Sequence, residues 1–468
     1  MSASHHPAAP KAGFHRYITL ALITIVLALS TGDRATLSVA GPHMSKDLGL
    51  DAVQMGWLFS SFAWAYVLSQ VPAGWLVDRI GAKAAITAGL VLWSATTLLM
   101  GAVHWFSFAF AALLVLRFLL GAMESPVGPA SGRVIAAWFP ASERGVAGAI
   151  FNSAQYLSLV IFTPLMGWLD HQFGWNHIFT VMGGLGILLA LVWMRKYFSP
   201  AEHPRVSPAE IAHIEAGGAL VHLGGKRSSD AAAPRLGDLG QLFRSRMLVG
   251  IFIAQYCITS ITWFFVSWFP SYLVNGRGFS ILQAGFVAAV PAICGFIGGV
   301  STGFVSDALL RRTGSLTLAR KLPITVGLLL SASMIACNYV DTDWLVIALM
   351  SLAFFGKGFG SLGWTVVADT APARIVGSTG GVFNAVGNVA GIVTPIVIGY
   401  IIAETHSFNG ALVYVGAHGL IAILCYWLVV GRIERMELSG EAAPRRPDSS
   451  PRRGHGFGAT ATDAKSSA

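Results

Sequence analysis

The chain has 468 residues, of which 54% are hydrophobic and only 11% are charged, against roughly 25% charged residues in soluble globular proteins. Lys and Arg outnumber Asp and Glu by 31 to 22, which gives a net charge of +9. This composition cannot cover the surface of a soluble enzyme or nucleic-acid binder of this size. It predicts a membrane protein whose positive charge must be interpreted by its position along the chain.

Apolar stretches long enough to cross a hydrocarbon core of roughly 30 Å follow one another along most of the chain. They predict twelve transmembrane helices, near 17–38, 54–75, 84–103, 107–132, 145–168, 177–197, 247–273, 282–304, 322–340, 344–368, 378–402 and 410–430. No small-residue cleavage site follows the first stretch, so we interpret it as a retained helix rather than a secretory signal.

The predicted helices fall into two sets of six with short connections inside each set. The corresponding domains are an N-terminal tail at 1–16, a six-helix bundle at 17–197, a polar central loop at 198–246, a second six-helix bundle at 247–430 and a basic tail at 431–468. We expect this last tail to be disordered. The predicted fold class is therefore an all-α polytopic membrane protein.

Basic residues lie almost entirely on one predicted face of the membrane. Of the 31 Lys and Arg residues, 26 fall on the face of the two tails and the central loop. Only Lys46 and Arg277 fall on the other face, and Arg34, Arg117 and Lys357 lie inside spans. By the positive-inside rule both termini are predicted to be cytoplasmic. Topology accounts for the net charge, so we expect no nucleic-acid partner.

An internal repeat relates the two sets of helices. Gly74 and Asp78-Arg79, after the second span, are matched by Gly303 and Asp307 after the eighth. Pro140, Gly145, Phe151-Asn152 and Gly167 are matched by Pro372, Gly377, Phe383-Asn384 and Gly399, all 232 residues later. These ordered matches indicate a duplication and hence two pseudo-symmetric bundles.

The Gly-x-x-x-Asp-Arg-x-Gly-x-Lys loop at 74–83, with its partner after the eighth span, resembles the signature loop of the major facilitator superfamily. The resemblance implies two bundles that rock around a central cavity lined by spans 1, 4, 7 and 10. Gly74, Asp78, Arg79 and Asp307 are then expected to tie the loops to neighbouring helix ends, as a gating scaffold rather than a substrate site.

Five ionisable residues fall inside apolar spans, where each costs at least about 2.5–3.5 kcal/mol unless it has a partner or a watery cavity. They are Asp33, Arg34, Arg117, Glu124 and Lys357, on spans 1, 4 and 10. The spans that carry them are the ones that the resemblance places around the cavity.

The cations Arg34 and Lys357 come from opposite halves of the chain. Arg can hold a carboxylate through two hydrogen bonds and Lys supplies a point charge, so the two together suit an anion with two charged ends. The alternative is that each only neutralises a nearby acid, Asp33 in the case of Arg34. Lys357 has no acid within a helical turn.

Asp33 and Glu124 can each carry a proton, and whether they do depends on burial and on nearby cations. Proton symport requires such a coupling with substrate arrival. Permanent salt bridges to Arg34 and Arg117 are the alternative. Arg117 and Glu124 are about 10 Å apart along one helix, so we expect Arg117 to act on Glu124 or Asp33 across helices.

Uncharged polar residues on the same spans and their neighbours provide hydrogen-bonding groups for hydroxyls. Helix-to-helix hydrogen bonding is their alternative role. The candidates are Tyr66, Gln155, Gln255, Ser361, Trp364 and Asn384.

A closer resemblance is to the anion:cation symporter family within this superfamily. It rests on Gly32-Asp33-Arg34-Ala35-Thr36-Leu37-Ser38, Trp138-Phe139-Pro140, Phe151-Asn152-Ser153-Ala154-Gln155-Tyr156, Gly356-Lys357-Gly358 and Gly391-Ile392-Val393-Thr394-Pro395, among others. The chain is most similar to bacterial inner-membrane D-glucarate/D-galactarate transporters. The resemblance implies proton coupling at Asp33 and Glu124, and sugar-acid binding by Arg34 and the uncharged candidates. Thr31 replaces an aromatic residue that some sugar-acid carriers have.

The sequence therefore predicts a proton-coupled importer of sugar-derived carboxylates, not an enzyme, in the bacterial inner membrane. A galactonate or hexuronate symporter and an organic-anion exchanger remain as alternatives, and a membrane-embedded enzyme or a sensor are weaker ones. No Gly-x-x-x-x-Gly-Lys-Ser/Thr loop and no His/Cys metal cluster occurs, so no cofactor or metal is expected. The expected partners are the substrate, protons and the lipid bilayer, and the chain is expected to act as a monomer.

Overall fold

A computed structural model of the chain describes residues 14–221, 236–372 and 375–438. Within those ranges every regular element is a helix. The expectation of a disordered tail falls mostly on residues beyond 438, outside the described part, and so do most of the N-terminal tail and positions 222–235 of the central loop.

Thirteen helices, numbered in chain order, make up the described part. They are α1 (His15–Leu48), α2 (Ala52–Gly101), α3 (Ala109–Trp138), α4 (Arg144–Phe173), α5 (Trp175–Lys196), α6 (Pro208–Ala216), α7 (Leu236–Arg244), α8 (Arg246–Ser267), α9 (Ile281–Thr313), α10 (Leu316–Tyr339), α11 (Asp343–Thr370), α12 (Val376–Thr405) and α13 (Asn409–Val430). All but α6 and α7 are long and apolar enough to cross a membrane, which makes 11 candidate spans in the described part. The prediction of a multi-pass membrane protein is confirmed.

Helix α2 contains 50 residues, about 75 Å at 1.5 Å per residue and far more than one crossing needs. Its helical backbone is interrupted at Gly81, where φ is 82° and ψ is 162°. A residue with a Cβ avoids this conformation, so glycine permits the break. The predicted spans near 54–75 and 84–103 lie on the two sides of this interruption.

Two helix starts show the internal repeat in atomic detail. Asp51 caps α2 by accepting a hydrogen bond from the backbone of Gln54, whose side chain bonds back to Asp51. Ser280 and Gln283 make the same reciprocal pair at the start of α9. The two caps are 229 residues apart, as are Gly74 and Gly303. Each cap satisfies backbone donors that the first helical turn leaves without partners.

The two sets of helices meet closely at one end of the bundle. We call the end where α1 begins and α13 finishes the terminal end, and the opposite end the distal end. At the distal end a Cβ on Gly167 of α4 would lie 3.0 Å from Gly285 Cα of α9. A Cβ on Gly399 of α12 would lie 3.3 Å from Gly56 Cα of α2. Backbone therefore packs directly on backbone at both crossings.

The same four helices are apart at the terminal end. A Cβ on Gly74, Gly148, Gly303 or Gly381 would meet no described atom within 4 Å. The structure is therefore closed between the two sets of helices at the distal end and open at the terminal end.

Part of the predicted central loop folds back on the first set of helices. Helix α6 is held by backbone hydrogen bonds from Ala141 to Gly217 and from Leu220 to Ala136, of 2.8 and 3.0 Å. The Glu210 side chain is fully buried and pairs with Arg16 at 3.7 Å. Residues 431–438 similarly cross the second set, with Met436 N donating to Thr370 O at 2.8 Å.

Candidate functional site

The first charged centre joins α1 to α3. Arg34 Nε donates to Glu124 Oε2 at 2.9 Å, and the same oxygen accepts a hydrogen bond from Ser30 Oγ at 2.8 Å. Glu124 is fully buried, whereas 18% of the Arg34 side chain remains exposed. Glu124 is the last residue before α3 is interrupted at Ser125 and Pro126, so its side chain sits at an irregular point of its helix.

Arg117 does not pair with a carboxylate. It donates to the backbone carbonyls of Asp33 at 3.3 Å and Arg34 at 2.9 Å, and only 1% of it is exposed. It thereby fixes the segment of α1 that carries both residues. The sequence-based expectation that Arg117 acts across helices matches this geometry.

Asp33 is fully buried, and neither carboxyl oxygen has a hydrogen-bond partner in the described part of the chain. The indole of Trp93 lies beside it, but Trp93 Nε1 also lacks a partner. A buried carboxylate without a partner is very costly. This environment favours the neutral carboxylic acid.

Aromatic rings support the two guanidinium groups. Arg34 lies over the rings of Phe62 and Tyr66, 5.0 and 4.8 Å from their centroids, and Arg117 lies 5.5 Å from that of Phe62. The two rings stack on each other at 5.6 Å. Sequence analysis identified Tyr66 but missed Phe62, which is one helical turn away on the same face of α2.

The second charged centre is Lys357 of α11. Its Nζ lies 5.6 Å from the ring centroid of Tyr156 on α4 and 5.3 Å from that of Phe354. No carboxylate lies within ion-pair distance of Lys357 in the described ranges. Lys357 precedes a tight 3₁₀ turn at Phe359–Ser361 that interrupts α11, much as Glu124 precedes the break in α3.

A polar cluster on α8, α11 and α12 lies in the second set of helices. Gln255 Nε2 donates to Thr259 Oγ1 at 3.2 Å, and a Cβ on Gly363 would lie 3.1 Å from Gln255 Oε1. Trp364 is half exposed and packs edge-on against Phe383 at 5.0 Å. Asn384 accepts a hydrogen bond from Asn388 at 3.2 Å. Gln255, Trp364 and Asn384 are therefore brought to one region.

The two charged centres face the seam between the sets of helices. Phe62 lies 6.4 Å from Trp263 of α8, and Tyr156 reaches Lys357 across the seam. Ala35 of α1 and Phe354 of α11 line the same small void. Gln155 and Ser361 are exposed near the seam and make no direct contact with either cation in the described part.

The loop residues form ion pairs away from both centres. Asp78 accepts a hydrogen bond from Arg133 at 2.9 Å, and Arg79 lies over the Trp75 ring at 5.3 Å. In the second set, Asp307 lies 3.9 Å from Arg320, which bonds to Asp369 at 2.9 Å. These contacts fasten helix ends at the terminal end, next to Gly74 and Gly303.

The arrangement can hold an anion and carry protons, but nothing in it resembles a nucleophile with its base. No group of three or more His, Cys, Asp or Glu residues in the described ranges is placed to hold a metal ion. Two fixed cations, two buried carboxyls and amide and indole donors line a seam that is open at one end.

Comparisons with known proteins agree with this geometry. Over 438 residues the chain is 54% identical to a Bacillus subtilis (strain 168) protein named "Probable galactarate/D-glucarate transporter GudP", covering 93% of this chain and 96% of that protein. It is 54% identical to "Probable galactarate/D-glucarate transporter GarP" of Escherichia coli (strain K12), with 92% and 98% covered. The D-galactonate transporter of Escherichia coli O6:H1 is 39% identical, also with 92% and 98% covered.

Solved structures share the fold. A bacterial homolog of the human lysosomal transporter Spinster, in an inward-facing and occupied conformation, matches with a TM-score of 0.66 at 18% identity, over 90% of this chain and 97% of that one. A mutant of the nucleoside transporter NupG matches with a TM-score of 0.64 at 13% identity, over 87% of this chain and 98% of that one. The model of the Major Facilitator Superfamily matches residues 23–319. With its fold, its pair of seam-facing cations and these relatives, the chain belongs to the Major Facilitator Superfamily.

Proposed function

We propose that the protein is a proton-coupled importer of sugar-derived dicarboxylates, with galactarate and D-glucarate as its substrates. The observation that carries the proposal is the placement of two cations from opposite halves, Arg34 and Lys357, along one seam. The relatives named as galactarate/D-glucarate transporters supply the choice of substrate.

In this proposal the chain crosses the membrane twelve times, in two six-helix bundles. The break at Gly81 supports counting α2 as two crossings, because each of its parts is long enough for one. The repeat supports two equivalent bundles. Gly56 and Gly285 are 229 residues apart, Gly167 and Gly399 are 232 apart, and the distal contacts pair one member of each couple.

The terminal end lies in the cytoplasm and the membrane is the bacterial inner membrane. The positive-inside rule supports this, since Lys46 and Arg277 are the only basic residues that the sequence places on the distal face. The state described above is then open to the cytoplasm and closed to the outside. Alternating access would open the contacts at Gly56 and Gly167 while the terminal end closes.

Glu124 and Asp33 carry the protons. In the open state Glu124 holds Arg34, and this pair competes with a substrate carboxylate for the guanidinium group. When Glu124 takes up a proton its hold on Arg34 weakens, so Arg34 becomes available to the substrate. Asp33 stays neutral in its buried site while Arg117 fixes the adjacent backbone. Proton arrival and substrate binding are thereby linked through one guanidinium group.

The substrate lies between the two cations. Arg34 binds one carboxylate and Lys357 the other, because Lys357 has no protein carboxylate within ion-pair distance in the described ranges to neutralise it. Tyr66, Gln155, Gln255, Ser361, Trp364 and Asn384 bind the hydroxyl groups and the carbon chain between. A complete set of these groups comes from one chain, which supports a monomer as the working unit. The loop residues Gly74, Asp78, Arg79 and Asp307 act in gating.

Uptake into proteoliposomes tests this function. Purified protein is reconstituted, and accumulation of labelled D-glucarate is measured with and without an inward proton gradient. We expect accumulation above equilibrium only with the gradient, and collapse when a protonophore is added. Equal uptake with and without the gradient would identify an exchanger or uniporter. Preference for D-galactonate over D-glucarate would reject the dicarboxylate assignment.

A further inference from the structure

A second polar cavity of about 750 Å³ lies at the distal end, on the far side of the closed contacts from the seam. Its walls come from both sets of helices, with Ser45 and Asp51 on one side and Asn275, Arg277, Asn338 and His406 on the other. Pockets of this size accommodate small organic ligands, and a six-carbon acid fits inside it with room for water.

The floor of the distal cavity is aromatic. Trp268, Tyr272 and Phe408 line it, with Trp268 and Tyr272 packed edge-on against Phe408 at 6.2 and 5.6 Å. Trp268 Nε1 donates to Pro395 O on α12 at 3.1 Å. This bond joins α8 to the helix whose Gly399 contacts Gly56. The floor of the cavity is therefore also part of the distal closure.

One wall offers groups that recognise a hydroxylated carboxylate. Arg277 is only 15% exposed, and its partner Asp343 is 3.8 Å away and 61% exposed. This is a loose pair that another carboxylate can replace. Asn338 donates to the carbonyl of Asn409 at 3.1 Å, while its own Oδ1 is buried without a partner in the described part. That oxygen can accept a hydrogen bond from a hydroxyl group.

The other charged groups at the distal cavity set how strong such binding can be. Asp51 is committed to the cap of α2, and Asp341 lines the cavity beside Arg277. His406 completes the ionisable lining. With one Arg and nearby carboxylates, the cavity attracts one end of a sugar acid but not two, so it binds more weakly than a site with two cations.

We propose that the distal cavity is a low-affinity entry site for sugar acids, in which Arg277 binds a carboxylate and the amide and aromatic residues bind the hydroxylated chain. This inference rests on the proposed import function. The substrate is held against Trp268 before the distal contacts open, so the residues that hold it also form the closure that must part.

Binding of labelled D-glucarate to purified protein separates this site from the one at the seam. In the Arg34→Gln/Lys357→Gln protein, which lacks both seam cations, we expect a residual weak binding. Adding Arg277→Gln should remove it, and adding Lys46→Gln, an exposed cation on the same face, should not. If the protein lacking both seam cations binds no D-glucarate, or if Arg277→Gln leaves the residual binding unchanged, the entry site is refuted.

Uptake kinetics give an independent readout in the otherwise unchanged protein. Arg277→Gln should raise KM for D-glucarate about threefold to tenfold with kcat nearly unchanged, which also shows that the variant folds. Asp341→Asn should lower KM, because it removes a repelling carboxylate. Unchanged KM in both variants would overturn the inference while leaving the transport function intact. Absence of uptake by the unmodified protein would instead reject the proposed function.

Discussion

Arg34 Nε and Glu124 Oε2 are 2.9 Å apart, in a pair whose carboxylate is fully buried and whose guanidinium group keeps 18% of its surface exposed. The acid is thus hidden behind the cation that faces the seam. A substrate meets Arg34 first, and a change in the protonation of Glu124 reaches the substrate through it. This relationship is the physical basis for the coupling we propose.

Replacing Glu124 by Gln should abolish proton-driven accumulation of D-glucarate while substrate binding persists. An amide keeps the shape but cannot release or take up a proton, and it leaves Arg34 free for a carboxylate. Counterflow, in which labelled and unlabelled substrate exchange without a gradient, should continue. Glu404→Gln, at an exposed position at the distal end of α12, is the matched control and should accumulate normally. Retained accumulation in Glu124→Gln would remove Glu124 from the coupling.

Replacing Lys357 by Gln should weaken binding of dicarboxylates more than that of monocarboxylates. A charge-assisted hydrogen bond contributes about 1.5–3 kcal/mol, so KM for D-glucarate should rise roughly tenfold or more. KM for D-galactonate should change little, because its single carboxylate is bound by Arg34. Competition uptake with both compounds measures the difference, and Lys357→Arg is the charge-conserving control. Equal losses for the two classes would contradict the role of Lys357 as a second cation.

Replacing Phe62 by Leu should raise KM for the substrate and lower thermal stability. The ring supports both Arg34 and Arg117 and contacts Trp263 across the seam, and each cation–π contact is worth about 0.5–2 kcal/mol. Phe179→Leu is the control, since Phe179 is equally buried and lies far from any cation pair in the described structure. We expect both variants to melt earlier and only Phe62→Leu to change KM. A change in stability alone would make Phe62 a packing residue.

Replacing Gly167 by Leu should prevent the distal end from closing. A Cβ there would already lie 3.0 Å from Gly285 Cα and 3.1 Å from Ile281 O, so a larger side chain must push α4 and α9 apart. We expect transport to fall to a few per cent or less, and a cysteine placed at Ser45 to become more reactive to a membrane-impermeant thiol reagent. Gly184→Leu, at an exposed position of α5 with open space around it, should have neither effect. Normal transport by Gly167→Leu would show that the crossing is not a moving contact.

The ionisable residues of the site could be found from sequence because a charge inside an apolar span is costly and rare. Arg34, Glu124 and Lys357 therefore stand out without any structure. Ser30, Phe62 and Trp93 do not, because hydroxyl and aromatic residues are common in membrane helices. Their importance depends on which helix lies opposite, and only the folded chain shows that.

The membrane-spanning character was predicted correctly, whereas helix lengths and loop structure were less accessible. Helix α1 continues ten residues past the predicted end at 38, through Pro42 and several polar residues, because its later turns pack against the first bundle rather than lipid. Helix α6 was hidden in a polar loop, since its attachment depends on a pair between Glu210 and the distant Arg16. Hydropathy reports the lipid-facing surface and is silent on such tertiary contacts.

The crossings of Gly167 with Gly285 and of Gly56 with Gly399 place main chain against main chain, with no side chain to swing aside. Such a junction leaves no room for a file of water molecules, the medium through which protons hop. A carrier driven by the cell's electrochemical gradient gains nothing from it if ions slip past between strokes. The bare glycines thus serve as insulation, keeping the membrane electrically tight while the cargo is released on the other side.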